Sequence, residues 1–219
     1  AFSYIPMLRR VRRVSAAARS DPFAGSDFCT DDSRTWNGKN ASMKWKFVGQ
    51  GTYLVPFSSD KKHTLNVLPD GSIEIYHDIL IKGYEVAGWK GAPWAPTNCI
   101  WNPRPVWVIE GYPKDPYYNY GRQLFYVDQE NFINYYKVIY DQSGLYWKTV
   151  FYASNSSETT TGVGYIALPN YYLTVDDKTH HSCVAEIQKF PGELDLINMP
   201  IEKLGPEWFT ESYIRQLSK

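Results

Sequence analysis

Between residues 106 and 152 short aromatic and β-branched runs alternate with tight polar turns, and this spacing leaves few folds open. Val106-Trp-Val-Ile-Glu-Gly-Tyr112, Arg122-Gln-Leu-Phe-Tyr-Val-Asp128, Ile133-Asn-Tyr-Tyr-Lys-Val-Ile-Tyr140 and Leu145-Tyr-Trp-Lys-Thr-Val-Phe-Tyr152 read as four strands. The segments Asp128-Gln-Glu-Asn131 and Asp141-Gln-Ser-Gly144 read as turns between them. Parallel neighbours need crossovers of about a dozen residues or more, so strands joined this closely form an antiparallel meander. Aromatic residues make up 16% of the chain, a share that suits pleated surfaces and is foreign to disordered segments.

Alternation along these strands leaves both faces rich in apolar side chains. Ile133, Tyr135, Lys137 and Ile139 share one face of their strand, and Asn134, Tyr136, Val138 and Tyr140 share the other. A sheet with one wet face has no need of this. Either helices, long loops or a ligand cover the second face, or Tyr-rich outer strands tolerate water. A curved antiparallel sheet with an apolar concave side and a covering lid accommodates the pattern.

The rest of the chain fits around this meander. Residues 1–14 read as a hairpin whose second strand carries Arg9, Arg10, Arg12 and Arg13. Residues 15–42 lack apolar periodicity and are expected to form a long loop, a candidate lid. Lys44 to Gly49 and Thr52 to Phe57 are strand-like, with a bulge or turn at Gly49 to Gly51. Residues 58–105 read as an irregular Pro/Trp-rich insertion, and Gly88 to Pro105 is expected to be loop because proline removes ladder donors. Further strands are expected at 164–173 and 182–188, followed by a short C-terminal helix at 206–217. The whole of 1–219 is thus expected to be one β domain.

Several function classes are excluded or disfavoured at this stage. Twenty-three basic side chains balance 23 acidic ones, so the phosphate attraction on which nucleic-acid binders depend is missing. No apolar run approaches the ~20 residues of a membrane helix. No phosphate loop, nucleophile elbow or zinc-protease motif is present, and no set of catalytic residues stands out, so the chain is read as non-enzymatic and without a cofactor. His180 and His181 are adjacent and would point to opposite faces of a strand, and Asp27, Asp31 and Asp32 lack the spacing of a calcium loop, so no metal site is expected. Cys29 and Cys99 lie in loop-like sequence and are a candidate disulfide, the alternative being free thiols. Ala1 is not an initiator Met and no export signal follows it, which reads as a processed or truncated product.

Two clusters remain as candidate sites. Alternation places Trp107, Phe125, Tyr135, Trp147, Phe151 and Tyr165 as the inward aromatic lining of a ligand cavity, although the same residues would serve as ordinary core. Arg9, Arg10, Arg12 and Arg13 suit an anionic headgroup or an acidic partner surface, or else pair with carboxylates such as Glu110 or Asp128.

Several strings in order carry a resemblance. They are Tyr4-Ile-Pro6, Leu8-Arg-Arg-Val-Arg-Arg13, Lys44-Trp-Lys-Phe-Val-Gly49 with Tyr53 to Pro56, Pro105-Val-Trp-Val-Ile-Glu110, Tyr120-Gly-Arg-Gln-Leu-Phe-Tyr-Val-Asp128 and Lys137-Val-Ile-Tyr-Asp141. Together they resemble a proteobacterial family of outer-membrane lipoprotein-sorting-like proteins of unknown function with a LolA/LolB-like fold, matching its C-terminal half. The resemblance implies an antiparallel half-barrel that holds a lipid or other hydrophobic ligand in the periplasm or at the outer-membrane periphery of a Gram-negative bacterium. It further implies an RND-type exporter or outer-membrane protein as a partner, and a second chain to supply missing N-terminal strands. The alternative reading is a structural subunit of an envelope or surface assembly, completed by strand addition from a partner chain.

Overall fold

A computed structural model describes residues 2–5, 10–13, 17–23, 25–64, 66–67, 69, 73–75, 79–158, 165–186, 195–197 and 205–217. Its strands are β1 (Phe2–Ile5), β2 (Arg10–Arg13), β3 (Met43–Thr64), β4 (Asn66–Val67), β5 (Ile73–Ile75), β6 (Ile100–Pro113), β7 (Gln123–Asp128), β8 (Asn134–Tyr140), β9 (Tyr146–Glu158), β10 (Tyr165–Asp176), β11 (His181–Glu186) and β12 (Asp195–Ile197). One helix, α1 (Glu211–Leu217), lies near the C-terminus and packs against the β1–β2 hairpin. None of the described helices is long and apolar enough to cross a membrane.

The main sheet has the order β11-β10-β9-β3-β6-β7-β8. It is antiparallel except where β3 meets β9. The curvature brings the two ends of the meander together. On one side of β9, its first half pairs with β8 from Tyr146 to Phe151, and its second half pairs with β3 from Ser154 to Glu158. Strands β3, β6, β7, β8 and β9 therefore form a ring, with β10 and β11 continuing beyond it.

Proline placement explains why β6 begins earlier than its composition predicts. Pro103 and Pro105 lie inside the strand, opposite Leu54 and Thr52 of β3. The carbonyl of Pro105 accepts the N–H of Gln129, so the ring nitrogens of both prolines face away from β3. On that side β7 has already ended, at the pair Val106 and Asp128, and no ladder donor is lost. Strand β3 likewise runs unbroken to Thr64, with a bulge at Phe47 to Gly49. Among the described residues of 58–105, the irregular stretch is 79–99.

The turn between β8 and β9 is built by Asp141. Its Oδ1 accepts the N–H groups of Ser143 (2.9 Å) and Leu145 (3.0 Å), and Gly144 takes the left-handed conformation the turn requires, at φ 86°.

Cross-strand register defines two faces. Ile109, Phe125, Lys137 and Val150 lie in one row across β6 to β9. Val108, Tyr126, Tyr136, Phe151 and Leu173 lie in a row on the opposite face. Each is covered by a different loop. Phe28 and Cys29 of the 17–42 excursion pack with Tyr118, Tyr120, Ile139 and Val150 on the first face. Leu80, Trp94 and Cys99 pack with Phe151, Ala153, Tyr171 and Leu173 on the second. The second cover is tied to β11 by Lys82, which is buried and paired with Glu186 at 2.7 Å and Glu85 at 3.1 Å.

This division overturns the candidate disulfide. Cys29 and Cys99 are free thiols on opposite faces of the sheet, Cys29 buried and Cys99 partly buried, each among its own apolar neighbours. Burial pushes both thiols up to about 12.

Candidate functional site

The 17–42 excursion is fastened to the sheet by buried charge. Asp32 is fully buried and its Oδ1 meets the equally buried Nζ of Lys137 at 2.5 Å. Its Oδ2 accepts the Tyr120 hydroxyl (2.7 Å) and the backbone N–H of Cys29 (2.9 Å). Neighbouring Asp31 accepts Arg19 Nε (2.6 Å) and the Tyr118 hydroxyl (2.9 Å). Burial pushes the Asp32 carboxyl up, but the charges of Lys137 and Lys148 and its hydrogen bonds outweigh this and hold it below the ordinary range. Burial beside this carboxylate also pushes the Tyr120 hydroxyl well up, so it stays a donor.

The chain then turns sharply. Arg34 and Thr35 adopt φ of 51° and 63°, a conformation costly for non-glycine residues and especially for a β-branched one. The strain is held in place because Thr35 is fully buried and its hydroxyl donates to the Asn134 carbonyl at 2.7 Å. The turn sets Arg34 and Trp36 over the sheet.

Beneath them lies a cavity of about 600 Å³, within the size range of small-molecule sites. Trp36 and Asn40 form its roof, and Trp45, Ile109, Phe125 and Tyr152 form its floor. Trp36, Trp45 and Phe125 make a mutually packed trio with centroids 5.2 to 5.6 Å apart. Phe132, 70% exposed, stands at the rim. Arg34, Asn40 and Asn134 are the charged and amide residues of its lining. Asn134 uses Oδ1 to accept the Tyr126 N–H, while its buried Nδ2 has no hydrogen-bond partner among the described residues.

A second cavity, of about 860 Å³, lies between the tip of the excursion and β10–β11. Phe23, Phe28 and Tyr172 give it apolar character, and Cys29 and Cys183 are among the residues that line it.

Of the six aromatics expected to line one cavity, Phe125 does so, and it is the only one among the five whose side chains are described. Trp107 is on the same face but packs beside Phe132. Tyr135 is completely buried between Phe57 and Tyr152. Trp147 sits at a register shift between β8 and β9 and stacks edge-on with Tyr120. Phe151 belongs to the opposite face. Tyr165 is in β10, and its side chain lies outside the described residues. A single alternation rule cannot assign these residues because bulges interrupt β7–β8 and β8–β9. Trp36 and Arg34 were not singled out, since nothing in a loop sequence shows what lies beneath it.

Arg10, Arg12 and Arg13 lie in β2, opposite Ile5, Ser3 and Phe2. Their side chains, and all of Arg9, lie outside the described residues. The carboxylates named as possible partners are engaged elsewhere: Glu110 pairs with Arg122 at 3.0 Å and Lys46 at 3.5 Å, and Asp128 takes two hydrogen bonds from Arg104.

One mixed cluster was not expected. Among the described residues, Asp27, His181 and Cys183 place a carboxylate oxygen, an imidazole nitrogen and a thiol sulfur within 4.8 Å of one another. The adjacency argument against His180 and His181 sharing an ion is unaffected, because the partners of His181 are other residues.

Comparison with known proteins places the architecture. A domain provisionally described as outer membrane lipoprotein-sorting, from Vibrio parahaemolyticus, superposes with a TM-score of 0.55 at 16% identity, over 98% of this chain and 65% of that one. A DUF1329 family protein from Desulfovibrio piger gives a TM-score of 0.53 at 16% identity, over 97% of this chain and 63% of that one. The chain thus spans less than two thirds of both structures, and at such identity the likeness shows the fold alone. A LolA superfamily protein from Nitrosomonas europaea matches over 50% of this chain and 44% of its own, with 26% identity and a TM-score of 0.34, too low to carry an argument. No curated protein sequence matches. The fold is mainly β, a curved main sheet like that of the first two structures, and a family profile for proteins of unknown function covers residues 1–193, so the chain belongs to the DUF1329 family.

Proposed function

We propose that the protein is a non-enzymatic carrier or binding protein for a hydrophobic ligand, held between the 17–42 excursion and the sheet. The observation that carries this reading is the 600 Å³ cavity, whose aromatic trio of Trp36, Trp45 and Phe125 is roofed by a loop that buried charge fastens down. Apolar walls favour an acyl chain or a similar hydrocarbon, and the unpartnered Asn134 Nδ2 together with Arg34 favours an acceptor-bearing or anionic end on it. The excursion serves as the lid. Family resemblance supports a setting in the periplasm or at the outer-membrane periphery of a Gram-negative bacterium, with an RND-type exporter or outer-membrane protein as donor or acceptor of the ligand.

Binding to the folded state alone raises stability by about 2.7 kcal/mol at a ligand concentration of 100 times Kd. For a chain of this size that corresponds to a rise of about 5–10 °C in Tm. Calorimetry of the delipidated protein with a long-chain fatty acid, a lysophospholipid and a neutral alkyl alcohol is expected to show this rise, largest for an anionic amphiphile. Absence of any shift with all three would count against the reading. W36A is expected to reduce the shift by weakening binding at least about tenfold, in line with the loss of a buried aromatic side chain.

A further inference from the structure

The geometry points to a divalent transition-metal site, of the zinc type, formed by Asp27, His181 and Cys183, which clips the tip of the excursion to the edge strand β11.

The backbone brings Asp27 together with His181 and Cys183, which lie 154 and 156 positions further along the sequence. His181 and Cys183 are separated by two on β11, so they project to the same side of the strand. Their cross-strand partners in β10, Asp176 and Thr174, belong to the face that the excursion covers. Asp27 comes from a narrow loop closed by the bridge between Pro22 and Cys29 and by the hydrogen bond from Phe23 N–H to the Phe28 carbonyl (2.7 Å). Gly25 turns the tip with φ 79°. Lys148 Nζ donates to the Asp27 carbonyl at 2.8 Å and fixes the position of that residue over the sheet.

Contacts among the three residues already draw them together. The Asp27 Oδ2 lies 2.6 Å from His181 Nδ1, and the Asp27 N–H donates to Cys183 Sγ at 3.2 Å. Bonds of about 2.0–2.3 Å to a tetrahedral ion require donor atoms about 3.5 Å apart. The His181 imidazole therefore has to swing away from Asp27 by about an ångström, and it is free to do so because its side chain is 62% exposed.

Donor chemistry selects the ion. Magnesium and calcium take oxygen ligands, and a set with one thiolate sulfur, one imidazole nitrogen and one carboxylate oxygen suits zinc and its neighbours. Binding displaces the Cys183 thiol proton to solvent, and the two anionic ligands balance the charge of the dication. Three protein donors leave the fourth position to water. The site adjoins the 860 Å³ cavity, whose wall includes Ser26, Ser182 and Cys183, so an ion here would lock the loop across that cavity.

The test uses the full chain, reduced and stripped with a chelator, then titrated with Co²⁺ and with Zn²⁺. The expected result is one equivalent of Co²⁺ per chain with a thiolate-to-cobalt charge-transfer band that Zn²⁺ bleaches. C183S is expected to abolish the band, H181A and D27N each to weaken binding at least about tenfold, and C29S and C99S to leave it intact. His181 is exposed enough for H181A to fold, and circular dichroism of each metal-free variant verifies this. A missing band, a band that survives C183S, or binding unchanged in H181A would overturn the assignment.

Discussion

Replacing Lys137 with Met is expected to lower the unfolding free energy by about 3–5 kcal/mol, measured by urea denaturation at neutral pH. The side chains of Lys137 and Asp32 are both fully buried, so removal of one charge strands the other away from water. The double variant D32N/K137M should recover most of the loss, because the two charges of the buried pair are then removed together. Acid titration adds an independent sign. The Asp32 carboxyl is depressed in the folded protein, so its contribution is complete above the unfolded carboxylate value of about 4 and is lost as pH falls through the folded value. In K137M the carboxylate loses its largest opposing charge, so its value is expected to lie above that of the wild type and protonation relieves part of the penalty. The stability gap between K137M and the wild type should therefore narrow in acid. A gap independent of pH would mean that Lys137 acts by packing alone.

Phe151→Ala is expected to cost about 3–5 kcal/mol, a fall of about 6–20 °C in Tm. Phe151 is 7% exposed and its ring lies among Tyr136, Tyr171 and Trp101 at centroid distances of 5.6 to 6.1 Å. It lies on the face covered by Leu80, Trp94 and Cys99, away from the 600 Å³ cavity. Amphiphile affinity of the F151A protein that remains folded should be unchanged. W36A should show the reverse pattern, with a larger loss of affinity than of stability. If F151A instead abolished binding at temperatures where it is fully folded, the ligand would have to contact the second face.

Strands β7, β8 and the first half of β9 were legible because period-two alternation and Asp-rich turns act locally. The hairpin of β1 and β2, the strands β10 and β11 and the helix α1 were legible for similar reasons. The start of β6 was hidden because Pro103 and Pro105 read as breakers, and only the early end of β7 makes them harmless. Ring closure was hidden as well, since it depends on β9 changing partner from β8 to β3 halfway along its length. The need for cover on both faces could be read from the strands. The charges that fasten the first cover could not, because Asp31 and Asp32 look like an ordinary polar loop until Lys137, Tyr118 and Tyr120 are placed beneath them. Alternation put Phe125 and Phe151 on one face, whereas the structure places them on opposite faces, the difference being the bulges that reset the faces between strands.

The most direct test of the carrier reading is photo-crosslinking of the delipidated protein with a diazirine-bearing fatty acid, mapped by peptide mass spectrometry. The account predicts adducts concentrated at residues 34–45, 109, 125–134 and 152, competed by unlabelled fatty acid and diminished in W36A. Adducts confined to the exposed apolar side chains of β3, at Phe47, Val48 and Leu54, or insensitive to competitor, would contradict it.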